Sequence, residues 1–119
     1  MKFNLYFIIL LILTACARPV GEPVVPENGR KVDIAWGMSV YEKSCARCHD
    51  SGSNGAQIIG DVEGWRSRIA RGIPSLVSHA IEGYSGALGY MPPRGGNPFL
   101  SQEDVAAATF YIVTVSSGK

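Results

Sequence analysis

Hydrophobic positions along the chain fall into three regimes. Residues 5–13 form one unbroken apolar run, Leu5-Tyr6-Phe7-Ile8-Ile9-Leu10-Leu11-Ile12-Leu13. Residues 17–30 show no periodicity and carry Pro19, Gly21, Pro23, Pro26 and Gly29. From about residue 34 onward helical spacing takes over. Asp33 is placed to cap a helix running from about Ile34 into residues 45–49, with Gly37, Tyr41 and Cys45 at i, i+4 and i+8 on one face. Asp61 caps a second, with Val62, Trp65 and Ile69 at i, i+3 and i+7. A third, over residues 75–83, pairs Leu76 with Ala80 and Val77 with Ile81, and Gly83 is its stop. The last opens at Ser101-Gln102-Glu103-Asp104, a capping box followed by the stripe Val105, Ala108, Ile112. Residues 85–98 hold three prolines and four glycines and are expected to be helix-free. A small residue and an aromatic, Gly37 and Tyr41, suit a close crossing of the first helix by the last, near Ala108 and Tyr111.

The apolar run follows Lys2 and is too short to span a bilayer comfortably, so it reads as an export signal. The stretch Leu13-Thr14-Ala15-Cys16 resembles the bacterial lipoprotein box, which implies cleavage before Cys16 and acylation of that residue. The alternative is ordinary cleavage after Ala15 with an incidental thiol. This division gives a signal at residues 1–15, a lipidated Cys16 with a Pro/Gly-rich tether at 16–31, and a domain at 32–119. A partly extended tether of this length reaches about 40 Å. The expected location is the periplasmic face of a bacterial cell envelope, lipid-anchored to membrane. Charge excludes other classes. The whole chain carries +1, and without Lys2 ten basic residues face ten acidic ones. A mature part that is formally neutral does not suit nucleic-acid binding or long-range electrostatic steering. The chain has 119 residues, 46% of them apolar and 18% charged; it makes one small domain with a limited core of its own.

Cys45-Ala46-Arg47-Cys48-His49 changes that picture. C-x-x-C-H is a c-type haem attachment signal, in which two thiols one helical turn apart add to the two vinyl groups of one porphyrin edge and the adjacent imidazole takes the iron. A redox C-x-x-C would want a βαβ setting, and a structural zinc site would want four ligands where only His79 and Cys16 remain. A covalently held haem also supplies the missing apolar bulk, with Ile58, Ile59, Trp65 and Leu88 as expected apolar surroundings. Met91 is the candidate for the second axial position. It lies 42 residues beyond His49 (91 − 49), and Pro92 forces it toward extended backbone. Gly89 is expected to let the chain pass close to the ring, and Gly95-Gly96 to let it turn away. Met38 rides the helix that carries the thioethers, and lone His79 reads as a surface or satisfied residue.

Together, Cys45 to His49, Gly37 and Tyr41 ahead of them, and Tyr90-Met91-Pro92-Pro93-Arg94-Gly95-Gly96-Asn97-Pro98 resemble a class I cytochrome c, closest to the bacterial cytochrome c5 family. The resemblance covers about residues 34–115. It implies a small all-α fold, with N- and C-terminal helices crossing around one covalently bound haem c. It also implies His49 and Met91 as iron ligands, and electron transfer rather than catalysis as the activity. Expected partners are redox proteins such as a respiratory oxidase, a reductase or another cytochrome. The competing functions are an electron-entry subunit of a larger oxidoreductase, and a haem sensor or peroxidase with an open sixth position. One departure stands out. Many relatives have proline in the loop near residues 55–59, where a backbone carbonyl accepts the proximal imidazole N–H; this chain has Gln57, and the orientation of that carbonyl is less fixed.

Overall fold

Asp33 opens the described part of the molecule, a computed structural model covering residues 32–118. Its Oδ1 accepts the Ala35 N–H at 2.9 Å and caps α1 (Ile34–Ser44). The sequence predicts one helix continuing into residues 45–49. The structure bends it at Cys45 (φ −112°, ψ −35°) and resumes in the single turn α2 (Ala46–His49). The break is local, because the Cys48 and His49 amides both bond to the Cys45 carbonyl. α3 (Val62–Ile69) starts at Asp61, whose Oδ1 accepts the Gly64 N–H at 3.1 Å. α4 (Ile73–Glu82) begins two residues earlier than the spacing suggests, because Pro74 is tolerated inside a first turn, where no intrahelical N–H is needed. α5 (Gln102–Ser116) has the complete capping box. Ser101 Oγ accepts the Asp104 N–H at 3.1 Å, and the Asp104 carboxylate accepts the Ser101 N–H at 2.9 Å.

α1 and α5 cross where Gly37 meets Ala107. A Cβ on Gly37 would run into the Ala107 carbonyl, so the two backbones approach as only glycine permits. One turn on, Tyr41 and Tyr111 pack with ring centroids 5.4 Å apart and planes at 55°. The core is Val40, Tyr41, Trp65, Ala108 and Ile112, with Trp36, Ile59, Ile69 and Leu100 at its margin. α5 is enclosed more completely than one stripe would give, and Val105 through Thr109 are all buried.

The region between α4 and α5 has no α-helix, as expected of residues 85–98, but it is more ordered than a plain loop. It contains a two-stranded antiparallel hairpin, β1 (Tyr84–Gly86) and β2 (Gly89–Met91), with Tyr84 opposite Met91 and Gly86 opposite Gly89. After it, Pro92 is extended (φ −69°, ψ 155°), and Arg94, Gly95 and Gly96 all turn through positive φ. Residues 1–31, with the expected signal, Cys16 and the tether, lie outside the described residues.

Candidate haem site

The helix break at Cys45 aims two functional side chains at one cleft. Cys45 and His49 line it on one side; Met91, Arg94 and Gly95 arrive from the hairpin and the turn behind it. Its floor is apolar: Ala80 from α4, Leu100, and Val105, Ala108 and Ile112 from α5. Thr109 also lines it, but its hydroxyl donates to the Val105 carbonyl at 2.8 Å and is already satisfied. Arg94 brings a charge to the rim, and its Nη1 donates to the Leu100 carbonyl at 2.7 Å.

The imidazole of His49 is oriented by its neighbours. Nδ1 lies 2.7 Å from the Gln57 carbonyl oxygen. A carbonyl can only accept, so Nδ1 carries a proton, and in the neutral ring Nε2 is the nitrogen that keeps its lone pair. Orientation of this kind fixes a ligating histidine's tautomer and raises its basicity. The carbonyl expected near residues 55–59 is therefore present, on Gln57. The rings of His49 and Trp65 lie 6.4 Å apart, and the indole Nε1 donates to the Ile58 carbonyl at 2.7 Å.

Cys45 and Cys48 are free thiols, both half-buried. Burial pushes the Cys45 thiol up to about 11, with Cys48 adding to it, so Cys45 is held neutral. Cys48 stands one turn from Cys45 and does not line the cleft. Behind the motif, the Tyr41 hydroxyl donates to Asp50 Oδ1 at 2.5 Å. Burial raises the Tyr41 phenol above its ordinary value, and the bond to the Asp50 carboxylate raises it further.

His79, the other histidine, stacks on Tyr84 with centroids 4.2 Å apart and is absent from the cleft lining. Of the expected apolar surroundings, Trp65 is buried and Ile59 packs against the core. Leu88 and Ile58 are instead 70% and 42% exposed, and the cleft takes its apolar walls from α5 and Leu100. Those wall positions were readable as core from the helical stripe of α5, but not as parts of a site. Gly89 has a packing constraint of its own. A Cβ there would fall on the Asn54 carbonyl, and one on Gly55 would fall on the Leu88 carbonyl, so hairpin and loop meet backbone to backbone.

The donor set fits a haem. The Cys45 thiol, the His49 imidazole and the Met91 thioether share an apolar cleft, with the Cys48 thiol one turn from Cys45, and this is the donor set c-type haem requires. Fold and site together define a class I c-type cytochrome. A family model described as "Cytochrome C oxidase, cbb3-type, subunit III" matches residues 32–112, and the chain belongs to this cytochrome c family, close to the c5 group. It is 43% identical over 90 residues to cytochrome c-555 of Chlorobaculum tepidum, covering 76% of this chain and 83% of the relative. It is 31% identical over 71 residues to cytochrome c5 of Ectopseudomonas mendocina, covering 58% and 77%. Among solved structures, it matches the chain of an electron-transfer complex of nitrite reductase with cytochrome c at a TM-score of 0.60 and 31% identity, over 68% of this chain and 94% of that one. Cytochrome c6 of the diatom Phaeodactylum tricornutum matches at a TM-score of 0.51 and 26% identity, over 71% and 94%. The protein is a mono-haem c-type cytochrome, an electron carrier with one covalently attached haem c.

Proposed function

We propose that this cytochrome is a carrier and not an enzyme, in which His49 and Met91 would ligate the haem iron and Cys45 and Cys48 would form the two thioethers. When bound, haem supplies a one-electron couple that needs no substrate at the metal. His49 contributes a fixed Nε2 donor because its Nδ1–H is held by Gln57. Met91 contributes a neutral thioether, which favours the reduced state relative to a second imidazole. The α5 wall excludes water and disfavours the extra positive charge of the oxidised state. The observation that carries this reading is the convergence of His49 and Met91 on one apolar cleft beside Cys45. The satisfied Thr109 hydroxyl, and a His79 that stacks on Tyr84 and does not line the cleft, support a carrier over a peroxidase, which needs a distal acid–base group.

The stretch Leu13-Thr14-Ala15-Cys16 supports a lipid anchor at Cys16, acylated on its thiol and amino group, on the periplasmic face, and the partners are redox proteins such as an oxidase, a reductase or another cytochrome. A related structure described as a nitrite reductase–cytochrome c complex supports protein partners of that kind. The family description, which names an oxidase subunit, favours a second reading as an electron-entry subunit. Co-purification with a large oxidoreductase separates the two.

The test is the ferric optical spectrum. Wild type should show the thioether-to-iron charge-transfer band at its red end and should not bind CO when reduced. Met91→Ala should lose the band and admit CO. Met91→His should keep six ligands while its potential falls by on the order of 100 mV or more, within the roughly 0.8 V span that axial ligands command. A wild type without the band, or a Met91→Ala variant that retains it, removes Met91 from the iron.

A further inference from the structure

The Gln57 carbonyl sits in a loop without the stiffening of a proline, yet it lies 2.7 Å from His49 Nδ1. Neighbouring bonds restrain the loop around it. The Ile59 amide donates to the His49 carbonyl at 2.9 Å, Trp65 Nε1 holds the Ile58 carbonyl, and the Gly60 amide donates to Ser116 Oγ at 2.9 Å, on a side chain that is fully buried. These bonds fix residues 58–60. The rotation of the Gln57–Ile58 peptide is restrained from its other side by the Gln57 side chain itself. Its Nε2 donates to Asp61 Oδ2 at 2.7 Å, while Asp61 Oδ1 caps α3 through Gly64. A carboxylate only accepts, so the amide orientation is settled by its partner. The helix makes room for this brace. A Cβ on Gly64 would fall on both Gln57 Nε2 and Asp61 Oδ2.

We infer that Gln57 and Asp61 are positioning residues, and that their side-chain bond, in space left by Gly64, holds the Gln57 carbonyl on the His49 N–H and so sets the basicity of the proximal ligand. The inference rests on His49 being that ligand. The brace ties the carbonyl to the N-terminus of α3, so the register of a surface helix reaches the iron through two hydrogen bonds. Loosening it weakens the bond at Nδ1, makes the imidazole a poorer donor to ferric iron, and raises the potential.

The experiment uses holoprotein and two readouts, the reduction potential and the solvent exchange of the His49 Nδ1 proton by NMR. Gln57→Ala and Gly64→Ala should each raise the potential and speed exchange, by up to about tenfold for the loss of one net hydrogen bond. Gln57→Pro should restore wild-type values. The Gln57 amide donates to none of the backbone acceptors of the loop, and Ala56 before it is already extended (φ −63°, ψ 137°), so proline fits. In the Gln57→Pro background, Gly64→Ala should become silent in both readouts. A Gln57→Ala variant with unchanged potential and exchange overturns the inference, and so does a Gln57→Pro variant that shifts as far as Gln57→Ala. Failure of the ligand assignment itself is distinct, since wild type would then show no exchangeable Nδ1 proton on an iron-bound imidazole.

Discussion

Tyr41 illustrates how one side chain serves packing and polarity at once. Its ring belongs to the core and its hydroxyl is spent on Asp50, one residue past the haem-binding motif. Its phenol ionises above the ordinary value of 10.0 in the folded state. A raised value means the folded protein holds the proton more tightly. That contribution to stability is complete below pH 10 and is lost as pH rises above it. Tyr41→Phe should therefore cost about 1 kcal/mol near neutral pH, the net worth of a buried hydrogen bond. The gap between variant and wild type should close as pH rises beyond 10. Denaturant midpoints of both holoproteins across that range check the sign; a constant gap would contradict it. None of this was legible in the chain, where Tyr41 reads as a helix-face aromatic. A hydrogen bond between residues nine apart needs the bend at Cys45, and nothing in Ser44-Cys45-Ala46 announces that bend.

The elements themselves were largely legible, and the reason is local. Asp33, Asp61 and Ser101 each cap a helix through their own side chain, so the start signals and the structure are the same interaction. The crossing of α1 by α5 was legible from Gly37 and Tyr41, although the backbone that Gly37 meets belongs to Ala107, one residue before the expected Ala108. The hairpin was not, because Tyr84–Gly86 and Gly89–Met91 are three residues each, too short for alternation to register, and glycine-rich. The crossing can be tested by a substitution that propensity alone would favour. Gly37→Ala should gain up to about 1 kcal/mol in an unhindered helix. Here the new methyl meets a helical carbonyl that cannot move alone, so the clash wins and the net change should be a loss of about 1–3 kcal/mol. A stability equal to or above wild type by chemical denaturation would show that the helices simply move apart.

At the scale of the whole molecule, the cleft divides what the helices would otherwise close. Of its α5 wall, Ala108 and Ile112 belong to the core shared with α1 and α3, and the described helices and hairpin are too short to enclose a large core of their own. Replacing both Cys45 and Cys48 by alanine should leave the haem-free chain largely unfolded by far-UV circular dichroism; near-native helicity would mean the peptide core suffices. For the anchor, mass spectrometry of the mature N-terminus should find acyl chains on Cys16. Several chains give stable attachment where one is marginal, at about 0.8 kcal/mol per buried CH₂. An unmodified Cys16 there would end that assignment. The meeting of Gly55 with Gly89 has a consequence for descent. Each position excludes a side chain because of the backbone carbonyl just before the other, Leu88 against Gly55 and Asn54 against Gly89, and Gly55 also turns at φ +77°. Losing bulk at one site therefore creates no room at the other, and no compensating exchange exists between them. In an alignment of descendants that keep this hairpin, the two columns should be invariant without covarying, a contact that co-evolution methods would pass over.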